Sequence, residues 1–305
     1  MTETCHIAVM EKEVLEHLQA GTGGSFLDCT LGGGGHTRAI LDANSTNQVV
    51  AIDRDKRAIE RTGAALAAYS DRLQISHADF SGVPALLQGR RFKGVLADLG
   101  LSSDQLSESR GFSFDDASPL DMRMDESQEL TASDLVNEMG EGELCQLLRE
   151  GGAAKEARYA ARAIVRARPI GSARDLAGIL RTALKGRLPQ RDIHPATVVF
   201  QALRIAVNNE FEQIKNLLDT LPQTVEEGGR AVLICFHSLE DELVTGRMRQ
   251  WAGSEFSAQW PGSQGSRPLG RMLTRKAATA SDEERELNPR ARSARLRVFE
   301  FGLRH

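Results

Sequence analysis

The chain has 305 residues, 41% hydrophobic and 26% charged, with a formal net charge of −4. That length fits one large domain or two ordinary ones with a substantial core, and the acidic balance excludes a global polycation, so any contact with nucleic acid must come from local basic patches. No apolar run reaches membrane-spanning length and the N-terminus lacks a basic-then-apolar signal, so a cytoplasmic protein is expected.

Met10, Val14, Leu15 and Leu18 recur at helical spacing, and Gly21–Gly24 end that helix. His6, upstream, reads as an exposed terminal residue. Phe26–Thr30 reads as a first strand, followed by Gly32-Gly33-Gly34-Gly35 and a helical pattern from Thr37. Strand, glycine loop and helix is how a nucleotide-like ligand is held at the carboxyl edge of a parallel sheet. The glycines let the backbone take positive φ and approach the ligand with no Cβ in the way. The second strand, Gln48–Ile52, ends on Asp53, placed to accept from ribose hydroxyls. A plain tight turn is the competing reading.

A helix from Lys56 to about Ala68 leads to strand three, Arg72–His77, and then to Asp79-Phe80. Strand four runs from near Phe92 to Asp98. Strands separated by helical stretches predict a doubly wound parallel sheet. A nicotinamide enzyme and a methyltransferase both use the first two strands this way. Asp79-Phe80 suits an adenine's amino group and ring face, and Asp98 faces the place where a methyl group would leave. These strand ends resemble class I S-adenosylmethionine-dependent methyltransferases, whose cofactor carries two positive groups that acids would surround.

Leu99–Ser118 is polar and loop-like, yet Phe112, Phe114, Met122 and Met124 suggest that this region packs down, over the cofactor. From Thr131 to about Gly186 the pattern is helical: helices start at Ala132, near Glu143, at 155–168 and at Ala173–Lys185. Between Lys155 and Arg191, ten Lys/Arg face only Glu156 and Asp175. Arg158, Arg162 and Arg166 recur every fourth residue and share one helix face, the electrostatic footprint of a phosphate-binding surface; a merely solvated face is the alternative.

His194-Pro195 reads as a helix start. Phe200, Leu203, Val207, Phe211, Ile214, Leu217 and Leu218 form one stripe that returns the chain to the sheet, broken or not near Asn208-Asn209. Gly228-Gly229 precede strand five, Arg230–Phe236, which ends on His237-Ser238-Leu239-Glu240. Residues 253–270 read as a mobile surface loop. The tail begins as a basic loop with Arg290, Arg292 and Arg295, a second RNA-binding spot, and continues as a strand with Leu296 and Val298 on one face and Phe299 and Phe301 on the other. An edge strand guarded by arginines explains the same residues. Expected domains are 1–104 with 195–305 for the sheet and 105–194 for the loop and helical insertion that would recognise RNA. A homodimer is permitted by the helical surfaces and demanded by nothing.

Several long motifs, among them Asp28-Cys29-Thr30-Leu31-Gly32-Gly33-Gly34-Gly35-His36-Thr37, Asp98-Leu99-Gly100-Leu101-Ser102-Ser103-Asp104-Gln105-Leu106, Arg110-Gly111-Phe112-Ser113-Phe114, Pro119-Leu120-Asp121-Met122-Arg123-Met124, Phe236-His237-Ser238-Leu239-Glu240-Asp241 and Asn288-Pro289-Arg290, resemble the bacterial MraW/RsmH family. The resemblance runs from His6 to Phe299. It implies an α/β fold, a Rossmann-like class I methyltransferase sheet with an inserted all-helical domain. It also implies methylation of a cytosine N4 in the decoding region of 16S rRNA, with S-adenosylmethionine as cofactor and rRNA or the small ribosomal subunit as partner. Cofactor contacts carried over by position fall on Gly34, Gly35, His36, Asp53, Phe80, Asp98 and Gln105. Ala8 departs from the family's usual proline and Glu242 from a common arginine.

Amine methylation needs a proton acceptor near the methyl donor. The Asp/Asn-Pro-Pro-aromatic turn of many amino-methyltransferases is absent, since strand four ends Asp98-Leu99-Gly100-Leu101. Asp98 is the first candidate, His237 the second, with Ser238 and Asn208 behind them. Cys5, Cys29, Cys145 and Cys235 form no Cys-x-x-Cys, which fits a reducing cytosol and no metal cluster. Cys29 and Cys235 read as strand residues, which argues against a covalent thiol adduct and carbon-5 chemistry. A nicotinamide dehydrogenase and a non-catalytic RNA-binding factor are the alternatives from other classes.

Overall fold

The computed structural model describes residues 8–102, 105–106, 108–186, 196–253 and 267–302. His6, the His194-Pro195 helix start, Arg187, Arg191 and most of the 253–270 stretch lie outside the described residues.

Among the described residues, seven strands form one sheet: β1 Ser25–Asp28, β2 Gln48–Asp53, β3 Leu73–His77, β4 Phe92–Asp98, β5 Val225–Cys235, β6 Gly270–Met272 and β7 Arg295–Phe301. Their order is β3-β2-β1-β4-β5-β7-β6. β1 to β5 pair in parallel, and β7 runs antiparallel to both β5 and β6. Helices Gly35–Ala43, Lys56–Ala65 and Val83–Leu87 follow β1, β2 and β3. The strand order reverses between β1 and β4, so the crevice at their carboxyl ends is where a ligand is expected.

Strand side chains alternate between two cores, as the two-residue period requires. Leu27, Val50, Ile52, Val95, Ala97, Leu233 and Phe299 bury on one face, with Ile214, Leu217 and Leu218 over them. Phe26, Val49, Ala51, Leu96, Val232, Leu296 and Val298 bury on the other, under Val14 and Leu18. β7 is flanked on both sides, so the edge-strand reading of the tail is corrected. Arg297 is buried and donates Nε to Asp241 Oδ1 at 2.6 Å and Nη2 to Asp241 Oδ2 at 2.9 Å.

The chain divides into two compact units, Met1–Gly100 with Phe211–His305, and Leu101–Glu210. The second unit holds helices Ala132–Glu138, Glu141–Glu150, Ala157–Ala167, Ala173–Leu184 and Thr197–Val207. Its core is built from its own residues, including Leu144, Leu148, Ile164, Leu176, Leu180 and Leu203. Phe112, Leu120, Met122 and Met124 bury in that same core, which is where the apolar residues of the long loop go. Gly151 permits a close approach within this unit: a Cβ there would lie 2.4 Å from Ala202 Cα.

The stripe from Phe200 to Leu218, whose helix was expected broken or not near Asn208-Asn209, is split there. Phe200, Leu203 and Val207 belong to the helical core and Ile214, Leu217 and Leu218 to the sheet core. The break falls at Asn208-Asn209, where Asn209 takes a left-handed φ of 47°, a conformation asparagine tolerates better than most residues. A second helix, Glu210–Thr224, then begins.

Candidate active site

The site is built at the tips of β1, β2, β4 and β5. Asp28 closes β1 and is fully buried. Its Oδ1 accepts from the Thr30 amide at 3.0 Å and its Oδ2 from the Thr37 hydroxyl at 2.7 Å. These bonds tie the strand end to the first turn of helix Gly35–Ala43. Between them runs the glycine loop. Gly34 caps that helix with φ +77°, and a Cβ there would fall 2.5 Å from Thr62 Cγ2. Only glycine meets both demands. The Thr62 hydroxyl donates to the Gly32 carbonyl at 2.6 Å, and Gly35 and the buried His36 open the helix.

Asp53 ends β2. Its Oδ2 accepts from the Gly32 amide at 2.8 Å and its Oδ1 from the Asp55 amide at 2.9 Å. A carboxylate offers about four lone-pair sites, so two backbone bonds leave it able to accept from ribose hydroxyls. Burial pushes the Asp53 carboxyl up, and the Asp55 and Gly32 amides oppose that rise.

Asp98 ends β4. Its amide donates to the Thr30 hydroxyl oxygen at 2.7 Å, which joins β4 to β1. Its Oδ1 is buried with no hydrogen-bond partner among the described residues. Its Oδ2 lies 3.8 Å from Arg290 Nη2. Burial pushes Asp98 up to about 7; Arg290 opposes this, while Asp28 and Glu240 add to it. Burial likewise raises Asp28 to about 6, against hydrogen bonds from Thr37 and Thr30.

His237 and Glu240 begin helix Ser238–Trp251, which the sequence reading did not identify. They form its capping box. The Glu240 amide donates to His237 Nδ1 at 3.3 Å, and Glu240 Oε2 accepts from the Phe236 amide at 2.7 Å. His237 Nε2 sits 3.0 Å from Glu240 Oε1. Both ring nitrogens therefore face Glu240, and His237 caps the helix. Asn208 is buried inside the helical unit, where its Oδ1 accepts from the Met124 amide at 2.8 Å and its Nδ2 donates to the Met122 carbonyl at 2.7 Å.

The remaining expected residues are distributed as follows. Asp79 caps the short turn Phe80–Gly82. Burial pushes it up, but bonds from Ser81, Gly82 and Gln213 outweigh burial and hold it below the usual carboxylate range. Phe80 packs half-buried against the sheet core. Gln105 lies in the span of the helical unit and its Oε1 accepts from the Ser102 amide at 3.0 Å. Cys29 follows β1 instead of lying in it, and Cys235 ends β5; burial raises both thiols well above their ordinary value.

Arg158, Arg162 and Arg166 are exposed along helix Ala157–Ala167, whose opposite face buries Ala157, Ala160, Ala161 and Ile164. Arg292 is exposed, but Arg290 is not part of an open basic face. Its guanidinium lies 5.3 Å over the Phe236 ring, beside Asp98. Sequence reasoning missed that placement, along with the parts played by Asp28, Thr30 and Glu240. The signals were an acid closing a strand two residues before a threonine, and the His-x-x-Glu spacing of a capping box.

These residues fit S-adenosylmethionine. The cofactor carries a sulfonium and an ammonium, and this sheet edge gathers buried acids, one with an unpartnered oxygen, beside a loop whose glycines leave backbone free to approach a ligand. No helix among the described residues is long and apolar enough to cross a membrane.

The model of the MraW methylase family matches residues 3–302. Similar relatives named ribosomal RNA small subunit methyltransferase H include one from Cyanothece, 43% identical over 97% of this chain and 94% of the relative. Another, from Nitratiruptor, is 42% identical over 97% of this chain and 98% of its own length. A solved rRNA methylase from Streptococcus thermophilus aligns with a TM-score of 0.42 and 9% identity over 96% of this chain and 94% of that one. With a family match that runs nearly end to end and encloses every carboxylate of the sheet edge, the chain belongs to the MraW methylase family.

Proposed function

We infer that the protein transfers a methyl group from S-adenosylmethionine to the exocyclic N4 of a cytosine in the decoding region of 16S rRNA. The observation that carries this reading is the match, over 97% of the chain, to relatives named for methylation of small-subunit ribosomal RNA. The buried acids at the strand tips supply a chemistry consistent with it.

S-adenosylmethionine supplies a methyl group on a positively charged sulfur, a strong leaving group. The protein's own residues do the rest. The glycine loop and Asp53 hold the nucleoside part, and Phe80 offers an apolar ring beside them. The cytosine amine is a weak nucleophile because its lone pair is delocalised into the ring, so it must be aligned and relieved of a proton. Asp98 is the acceptor: its Oδ1 has a free lone pair, and a carboxyl pushed up to about 7 is matched to proton transfer near neutrality. The target base leaves its stack to reach a buried group of this kind. Arg158, Arg162, Arg166 and Arg292 meet phosphates. The cytosol, where ribosomal subunits are assembled, is the compartment of this reaction.

The test is methyl transfer from labelled S-adenosylmethionine to small subunits from cells lacking the enzyme, beside naked 16S rRNA, transfer RNA and DNA. Digestion to nucleosides is expected to yield N4-methylated cytidine from the ribosomal substrate. Cofactor binding with no transfer to any substrate would count against the reading.

A further inference from the structure

The Asn288-Pro289-Arg290 motif reads in the sequence as part of a basic surface. In the structure it is a device for aiming one guanidinium. Asn288 is buried, and its side chain accepts from the Arg290 amide at 3.2 Å, which fixes the turn Pro289–Arg292. Ala291 anchors the same turn in the sheet core. Arg290 is left with its guanidinium over Phe236, the residue that follows β5, and with Nη2 3.8 Å from Asp98 Oδ2. Only 18% of its side chain is exposed, which leaves little for a phosphate to grip.

The charges that face Asp98 are unequal. Asp28 from β1 and Glu240 from the helix after β5 both disfavour its anion, as does burial, and among the described residues Arg290 is the charge that favours the anion. At 3.8 Å the guanidinium is close enough for strong attraction and beyond hydrogen-bond reach, so it does not occupy the carboxylate oxygens. An arrangement that charges a carboxylate without consuming its lone pairs is what a proton acceptor or a cation-holding acid needs.

We propose that Arg290 is a positioning residue of the methyl-transfer site: stacked on Phe236, it favours the Asp98 anion while leaving its oxygens open. The role for Asp98 rests on the function inferred above; the coupling between Arg290 and Asp98 does not.

The test has two arms. In the first, Asp98 is titrated by carbon NMR in the cofactor-free protein, with Asp98→Asn to assign its signal. Arg290→Met is expected to move the Asp98 midpoint upward by about one pH unit, and Arg290→Lys by less. In the second, the pH profile of methyl transfer is measured for the same proteins. Its acidic limb is expected to move upward by the same amount in Arg290→Met, with kcat lowered at neutral pH and the KM for RNA unchanged. An unmoved Asp98 midpoint overturns the proposal, as does a higher RNA KM with an unshifted profile, which would make Arg290 a phosphate contact. A moved midpoint without methyl transfer by the wild type keeps the coupling and removes the function. If Arg290→Met does not melt cooperatively, Phe236→Leu replaces it; removing the ring under the guanidinium is expected to displace the midpoint in the same direction, and no displacement overturns the proposal.

Discussion

The Thr30 hydroxyl stands between two acids: it accepts from the Asp98 amide at 2.7 Å and lies 3.4 Å from Asp28 Oδ1, to which it donates. One small side chain thereby spaces the tips of β1 and β4, the strands on either side of the crevice. Thr30→Val keeps the shape and removes the hydroxyl, leaving a partly buried amide unsatisfied. The expected cost is about 1–3 kcal/mol of stability, read from urea denaturation, with weaker cofactor binding by calorimetry. Thr30→Ser should restore most of both.

Asp53 has a double duty. Its oxygens hold the Gly32 and Asp55 amides while the same carboxylate faces the ribose position. Asp53→Ala is expected to raise the Kd for S-adenosylmethionine by tenfold or more, since about 1.4 kcal/mol is a factor of ten. Asp53→Asn should fall between, because an amide keeps one acceptor oxygen. An unchanged Kd in Asp53→Ala would remove Asp53 from the cofactor site.

Stability should depend on pH in an unusual direction. Burial raises Asp98 to about 7 and Asp28 to about 6 from a usual value of 3.8. Between those limits the native state holds protons that the unfolded chain has lost, so unfolding free energy falls as pH rises. These two groups contribute stability that is full below about pH 4 and lost by about pH 7. Asp98→Asn is expected to flatten the profile and to be more stable than wild type at pH 8. Cofactor affinity should run the other way, rising as Asp98 ionises. Urea midpoints at pH 5 and 8, with calorimetry at the same values, check both signs.

The basic helix offers a salt test. Replacing Arg158, Arg162 and Arg166 by alanine removes charge from an exposed face and leaves the buried alanine face intact. The dependence of RNA affinity on salt is expected to flatten by roughly 0.7–0.9 per lost phosphate contact, with cofactor affinity unchanged. A slope identical to wild type would make the stripe a solvated face.

Asn208→Ala should fail structurally before it fails chemically. Its side chain satisfies two buried backbone groups, at Met122 and Met124. A loss of about 2–4 kcal/mol is expected, read as an earlier melting transition, while the midpoint of the Asp98 titration stays put.

The sheet was legible in the sequence because local pattern and tertiary role coincide there. Each strand reads as a short apolar run, and the glycine loop and Asp53 stand at fixed places along it. Arg290 was not legible: an arginine in a basic run looks the same whether it points to solvent or across a turn, and only Asn288 and the position of Phe236 decide it. The cap at His237 was not legible either: a histidine at a strand end suggests chemistry first, and its capping partner stands three residues on. The stripe from Phe200 to Leu218 left its break open for another reason. Helical periodicity records that a face is buried, not which core buries it, and the single left-handed residue Asn209 hands the chain from one core to the other.

That handover bears on the order in which the protein comes into being. β4 and β5 are neighbours in the sheet, yet residues 101–210 are synthesised between them. On a growing chain β4 emerges long before the strand that covers its flank. The helical unit, whose described core residues are all its own, can close in that interval. The half-built sheet has to wait with one side of β4 unpaired until β5 emerges, and β6 and β7 follow later still.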